Sequence, residues 1–156
     1  THRIFNPTEP RMIEANQVNA CNLCHLEKPI DWTIDHLRSW YGDEHKYDGR
    51  KLTSNYPNRT GPVALGWLRG AHAPTRLSAA EALARSDQAW ALPHLLDLLI
   101  EDDNLVHRQF TQKRLEEKLN YDFDTNGYSF YMTIPQRKAA IEKIRPQILG
   151  RQAAVE

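Results

Sequence analysis

Cysteine is scarce in this chain. Only two of the 156 residues are cysteines, and both lie in one short segment, at positions 21 and 24. A single local pair leaves nothing for the disulfide framework that stabilises many small secreted domains. We therefore expect Cys21 and Cys24 to act together in one local site.

Long apolar runs are also absent. No stretch approaches the roughly 20 consecutive apolar residues that a membrane-spanning helix needs. The chain opens T-H-R-I-F-N-P, without the basic region and apolar run of a secretory signal. We therefore expect a mature form, or a piece of a longer chain, from which any export signal has been removed.

An excess of charge of either sign is missing as well. Lysine and arginine together number 20, and so do aspartate and glutamate, which gives a formal net charge of zero. Nucleic-acid binding needs a clustered basic surface, so this balance argues against nucleic acid as the main partner. A net charge of zero does not exclude a charged docking patch on one face of the protein.

Apolar residues recur at helical spacing along most of the chain, and this pattern predicts an all-α fold. Over Pro29–Tyr41 they are Ile30, Ile34, Leu37 and Tyr41, and Gly42 should end that helix. We expect an extended arm over residues 1–20 and a loop over 43–60. Further helices are predicted at Pro62–Arg69, Pro74–Ser86, Gln88–Glu101 (capped by Asp87), Leu105–Asn120 (capped by Asp103 or Asn104) and Ile134–Leu149 (followed by Gly150).

The predicted second half contains a weak internal repeat. Arg76 and Leu83 recur as Arg108 and Leu115 at the same offset. A period near thirty residues with two helices per unit is typical of helical-repeat proteins, although an ordinary helical bundle remains an alternative. We therefore predict a cofactor-binding segment over residues 1–60 and a helical-repeat region over 61–156.

The segment Cys21-Asn22-Leu23-Cys24-His25 has the form C-x-x-C-H. Two cysteines three residues apart on a helical turn can reach the two vinyl groups of one porphyrin and form thioether bonds. The histidine that follows is then held beneath the iron as its proximal ligand. The motif predicts one covalently attached haem c, bound through Cys21 and Cys24 and ligated by His25.

Two other interpretations of the cysteine pair are weaker. Redox dithiols of this spacing follow a strand in an α/β pattern, and no such strand is visible in the sequence. A structural zinc site usually has a second cysteine pair, which is missing; completion of a zinc site by some of the other six histidines stays an alternative.

The residues around the motif carry a resemblance. Asn19-Ala20 before it, Asp31-Trp32 after it and Trp40-Tyr41-Gly42 at the end of the next helix resemble a family of bacterial extracytoplasmic c-type cytochromes. In that family, helical repeats of the HEAT or tetratricopeptide kind often follow. HEAT-like segments here are Ala91–Leu96, Val106–Arg108 and Pro135–Arg137. Many relatives carry several haem motifs, whereas this chain has one.

The sixth iron ligand would decide between electron transfer and small-molecule chemistry. The first candidate is His2, because the resemblance places a histidine upstream of the motif, and the second is Met12. Weaker candidates are Met132, His45 and His72. The remaining histidines, at positions 36, 94 and 107, are expected to be surface or packing residues.

These observations predict a monohaem c-type cytochrome that transfers electrons, either as a carrier or as a subunit of a redox complex. The alternative is a haem enzyme or a gas or redox sensor with an open, peroxidase-like distal site. Haem attachment takes place outside the cytoplasm, so the expected location is periplasmic or extracellular. The expected partners are redox proteins, including a membrane-associated or multi-haem complex for which the helical repeats offer a docking surface.

Overall fold

The structure is a computed structural model that describes residues 9–42 and 45–153, with side chains up to residue 150. Within these residues the chain is helical and has no strand, which confirms the all-α prediction. None of the described helices is long and apolar enough to cross a membrane. The helices are α1 (Pro10–Glu14), α2 (Ala20–Cys24), α3 (Ile30–Tyr41), α4 (Gly49–Asn55), α5 (Val63–Arg69), α6 (Ala73–Arg85), α7 (Ala91–Glu101), α8 (Leu105–Leu119) and α9 (Ile134–Ala153).

The chain forms two compact units that divide between Ala79 and Ala80. The first unit contains α1 to α5 and the start of α6, and the second contains the end of α6 and α7 to α9. The division into a haem-binding segment and a repeat region is a statement about function and stays a prediction.

The prediction of an extended arm is wrong for the described part of that arm. Pro10 begins α1 instead of preventing it, because the first position of a helix needs no backbone N–H and suits the fixed φ of proline. The Glu9 side chain caps the helix by accepting from the Arg11 backbone N–H. Ile13 at its end is fully buried.

The predicted loop over residues 43–60 contains α4, which the sequence analysis missed. Asp48 begins this helix by accepting from the backbone N–H groups of Arg50, at 2.9 Å, and Lys51, at 3.4 Å. Leu52 is its one buried residue. A helix with a single apolar anchor has too little periodicity to be recognised in a polar segment.

Helix α3 agrees closely with its prediction. Ile30, Ile34 and Leu37 are all buried, whereas Tyr41, the fourth residue of the predicted apolar spacing, is 53% exposed. Gly42 ends the helix with φ of +72°, a value that glycine adopts readily. Long-range hydrogen bonds hold the rest of the unit together. The Tyr56 hydroxyl donates to the Ile13 carbonyl at 2.5 Å.

The second unit has a leucine-rich core supplied mainly by α7, with isoleucines of α9 packed in the same interior. Tyr128, in the aromatic loop after α8, donates its hydroxyl to the Leu99 carbonyl at 2.9 Å. Two predicted boundaries are wrong. Helix α7 begins at Ala91 without a cap from Asp87, and α9 continues through Pro146 and Gly150.

Three arginines near the starts of α6, α8 and α9 make the same contact. The Nη1 atoms of Arg76, Arg108 and Arg137 donate to carbonyls in the turn just before their own helix, at 2.7–2.9 Å. Arg76 and Arg108 are the pair that the sequence repeat brought into register. We call this contact, from an arginine near the start of a helix to a carbonyl in the turn before that helix, the arginine brace; it occurs at all three helices. Assignment to a HEAT family stays a prediction.

Candidate functional site

The C-x-x-C-H motif lies on α2 and its C-terminal end. Asn19 begins this short helix, and its side-chain oxygen accepts from the Asn22 backbone N–H at 2.9 Å. His25 follows as the C-cap residue, with its backbone N–H donating to the Cys21 carbonyl at 2.9 Å. The motif therefore has a defined helical geometry within the first unit.

A buried polar network fixes this helix to α3. The Asn22 side-chain oxygen accepts from Asn19 Nδ2 at 3.0 Å and from the Thr33 hydroxyl at 2.5 Å. All three residues are fully buried. Asn22 Nδ2 also donates to the His25 and Lys28 carbonyls, at 3.3 and 3.2 Å, and so orders the turn after the motif.

The side chains that would bind haem point away from this network. Cys21 is half-buried, while Cys24 and His25 are exposed. Burial raises the pKa of the Cys21 thiol, and the nearby Cys24 raises it further. Asn22 therefore acts as the inward anchor of the motif, and the two thiols and the imidazole remain accessible to a cofactor.

A row of aromatic rings begins at His25 and follows one face of α3. The ring centroids of His25 and Trp32 are 4.8 Å apart. Those of Trp32 and His36 are 4.3 Å apart, and those of His36 and Trp40 are 5.6 Å apart. Trp40, at the end of the row, is 62% exposed. The row gives the motif histidine a packed aromatic neighbour on one side.

Residues 45–48 form a short segment tied to both α1 and α3. The Asp48 backbone N–H donates to Glu14 Oε1 at 2.8 Å, and Lys51 donates to Glu14 Oε2 at 2.9 Å. These two contacts lower the pKa of Glu14. On the α3 side, the His45 ring stacks on the Tyr41 ring, with centroids 5.1 Å apart and planes inclined by 15°.

Two polar atoms of this segment are buried and have no hydrogen-bond partner, namely His45 Nε2 and the Tyr47 hydroxyl. Burial raises the pKa of Tyr47, and the charges of Cys21 and Glu14 raise it further, while the charge of Arg38 lowers it. Because Cys21 contributes to this shift, Tyr47 lies within charge-interaction range of the motif. A buried polar group without a partner costs about 1–3 kcal/mol. Both atoms are therefore available to bind a group from outside the chain.

The residues of the motif fit a covalently attached haem. Cys21 and Cys24 lie three positions apart on one helical turn, His25 follows directly, and all three are at least partly accessible. Haem iron takes a second axial ligand or a bound small molecule at its other face. The unpartnered Tyr47 hydroxyl interacts electrostatically with Cys21, and His45, whose Nε2 atom also has no partner, lies two residues before it.

The predicted distal ligands differ in their surroundings. His2 lies outside the described residues. Met12 is half-buried on α1, and His72 is exposed with Nδ1 2.9 Å from the Thr75 hydroxyl. Met132 lies in the second unit, in the aromatic loop.

The second unit contains a separate group of carboxylates. Oxygens of Glu116, Asp122 and Asp124 lie within 4.8 Å of one another. Gln112 Nε2 donates to Glu116 at 2.9 Å and to Asp124 at 3.0 Å, and the Thr125 backbone N–H donates to Asp122 at 2.9 Å. These hydrogen bonds account for the ordered turn after α8.

Sequence reasoning overlooked the roles of Asn22, Thr33 and Tyr47. An asparagine inside the motif has no distinctive signal, because its partner Thr33 is on another helix. Comparison with known proteins adds nothing to this description: no family model, no curated protein and no solved structure matches the chain.

Proposed function

We propose that this chain is a monohaem c-type cytochrome that transfers electrons. The observation that carries the proposal is the orientation of the motif. The buried network at Asn22 turns Cys21, Cys24 and His25 toward the accessible side of α2. A structural cysteine pair of a packed core would instead be buried.

Each residue of the motif has a separate role in the proposal. Cys21 and Cys24 each form a thioether bond by addition of the thiol across a vinyl group, so that no atom is lost. His25 would bind the iron through an imidazole nitrogen. Bound haem would supply a one-electron couple.

The ring row from His25 to Trp40 supports an electron-transfer role. It ends in an exposed tryptophan on the surface of α3, beside the half-exposed Tyr41. Tryptophan and tyrosine are enriched where proteins contact each other, because they supply apolar area and a polar tip. We propose this end of α3 as the face toward a redox protein partner.

Location and association follow from the cofactor. Thioether attachment of haem requires a maturation apparatus outside the cytoplasm, so the proposed location is periplasmic or extracellular. The proposed partners are redox proteins, alone or in a membrane-associated or multi-haem complex. The arginine-braced helices of the second unit would provide the HEAT-like docking surface.

The test is production of the chain together with a cytochrome c maturation system. We expect c-type absorption bands and haem that stays attached after denaturation and solvent extraction. The Cys21→Ala, Cys24→Ala double variant should lose covalent haem, while the matched control Thr53→Ala, at an exposed position of α4, should keep it. Wild-type protein without haem would overturn the proposal.

Carbon monoxide distinguishes the alternative function. A haem enzyme or gas sensor with an open distal site binds carbon monoxide in its ferrous form and shifts its absorption bands. An electron-transfer haem with two protein ligands keeps its spectrum unchanged. An immediate shift in the wild-type protein would favour the enzyme or sensor.

A further inference from the structure

The segment after α3 presents a histidine whose second ring nitrogen has no protein partner. His45 Nε2 is shielded from solvent and makes no hydrogen bond. Uncoordinated buried imidazole nitrogens of this kind are rare, because polar atoms in protein interiors are almost always satisfied. The atom therefore points to a ligand that the protein alone does not supply.

The surroundings of His45 hold its ring in one orientation. The Tyr41 ring stacks on one face of the His45 ring, with centroids 5.1 Å apart. The His45 backbone N–H donates to the Gly42 carbonyl at 3.3 Å. Asp48, three residues on, is fixed to Glu14. A metal-binding histidine needs such positioning, because ligation fixes the direction of the ring plane.

The other described histidines of this unit lack that combination. His36 Nδ1 lies 2.8 Å from the Trp32 carbonyl, and its ring belongs to the row that starts on His25. That row starts at His25, the proposed proximal ligand, whereas a sixth ligand binds the iron at the face opposite His25. His72 is exposed and bonded to Thr75.

We infer that His45 is the sixth ligand of the haem iron, opposite His25. This inference rests on the proposed haem attachment and favours His45, one of the weaker candidates from sequence, over the two leading ones, His2 and Met12. Its chemical content is bis-imidazole ligation, which produces a low-spin iron closed to small ligands. It also gives a lower reduction potential than histidine–methionine ligation, because thioether sulfur favours the ferrous state.

The test compares His45→Ala with the matched control His72→Ala in haem-loaded full-length protein. The wild type and the control should be low-spin in both oxidation states and unmoved by carbon monoxide. His45→Ala should keep its covalent haem, become high-spin and bind carbon monoxide. Added imidazole should restore the low-spin spectrum, which shows that the loss is at the ligand position and not in the fold.

A second variant protects the test against poor folding of the alanine protein. His45→Met should keep a six-coordinate iron, gain a sulfur-to-iron charge-transfer band and have a higher midpoint potential. The wild type must lack that band. Its presence in the wild type would assign Met12 or another methionine and overturn the inference without any variant.

The outcomes separate the two proposals. If the haem of His45→Ala is attached, low-spin and unreactive toward carbon monoxide, the role of His45 is overturned, while the proposal of haem attachment stands. His2→Ala would then be the next variant. A high-spin wild type would also overturn it. Wild-type protein that carries no haem would remove the proposed function, and the inference with it.

Discussion

The Thr33 hydroxyl donates to the side-chain oxygen of Asn22 at 2.5 Å, and both residues are fully buried. This bond joins the middle of the cysteine motif to the helix that follows it. Four contacts converge on the Asn22 amide, from Asn19 and Thr33 and to the His25 and Lys28 carbonyls. The orientation of the two cysteines depends on this one side chain.

Replacement of Asn22 by alanine should therefore weaken the first unit. Buried partners lose their hydrogen bonds, and each unsatisfied group costs about 1–3 kcal/mol. We expect a loss of stability in that range in denaturant unfolding, and a lower yield of covalent haem. Thr53→Ala, which removes an exposed hydroxyl bonded within α4 at 2.9 Å, is the control and should change little. Equal stability of the two variants would contradict the anchoring role.

The Glu14 carboxylate should make the stability of the first unit depend on pH in the acidic range. Its contacts with the Asp48 backbone and Lys51 hold its pKa below the usual 4.5. Because the folded pKa is lowered, the stabilisation is complete above 4.5 and is lost as pH falls toward the folded value. Glu14→Gln should lose less than about 1 kcal/mol at neutral pH and should flatten this part of the curve.

Denaturant unfolding at a series of acidic pH values measures the Glu14 effect. Glu142→Gln is the control, because Glu142 pairs with the exposed Lys138 at 3.9 Å. The control should keep the wild-type pH dependence. A Glu14→Gln protein that follows the same curve would show that the contact with residues 45–48 adds no stability.

Because of the arginine brace, replacement of Arg108 by alanine should cost more stability than replacement of an exposed arginine. Arg108 is buried and donates to the Asp102 and Phe130 carbonyls, at 2.7 and 2.8 Å. Hydrogen bonds to charged groups contribute about 1.5–3 kcal/mol, so Arg108→Ala should destabilise the second unit by at least that amount. Arg85→Ala, at an exposed position, should change unfolding by less than about 0.5 kcal/mol.

Helix α9 contains a proline, and its replacement should stabilise the protein. Pro146 is exposed and lies inside the helix, where proline removes a backbone hydrogen bond and is about 3 kcal/mol less favourable than alanine. Pro146→Ala should therefore raise the unfolding midpoint. Pro57→Ala, in an exposed segment outside the helices, should not. An unchanged midpoint in Pro146→Ala would show that α9 does not continue as a regular helix past that residue.

The sequence was sufficient wherever the signal was local. The apolar spacing of α3 and the glycine that ends it are visible within one segment, so both boundaries were predicted to within one residue. The cysteine spacing is equally local. Short helices were missed because their stability comes from distant partners: α1 is held through Ile13 by Tyr56, and α4 through Lys51 by Glu14.

The same reason explains what could not be predicted at the candidate site. Nothing in the segment around His45 distinguishes it from His72 or His94. Its difference lies in burial without a hydrogen-bond partner and in stacking on Tyr41, which exist only after folding. Asn22 likewise acquires its role from Thr33, on the next helix.

The unequal burial of the two cysteines has a consequence for how the purified chain must be handled. Cys24 is exposed, whereas Cys21 is half-buried with a raised thiol pKa. Alkylating agents and oxidants attack the accessible sulfur first, because reactivity follows exposure and thiolate content. In air the purified chain should therefore cross-link between molecules through Cys24, and a reducing agent should prevent this cross-link.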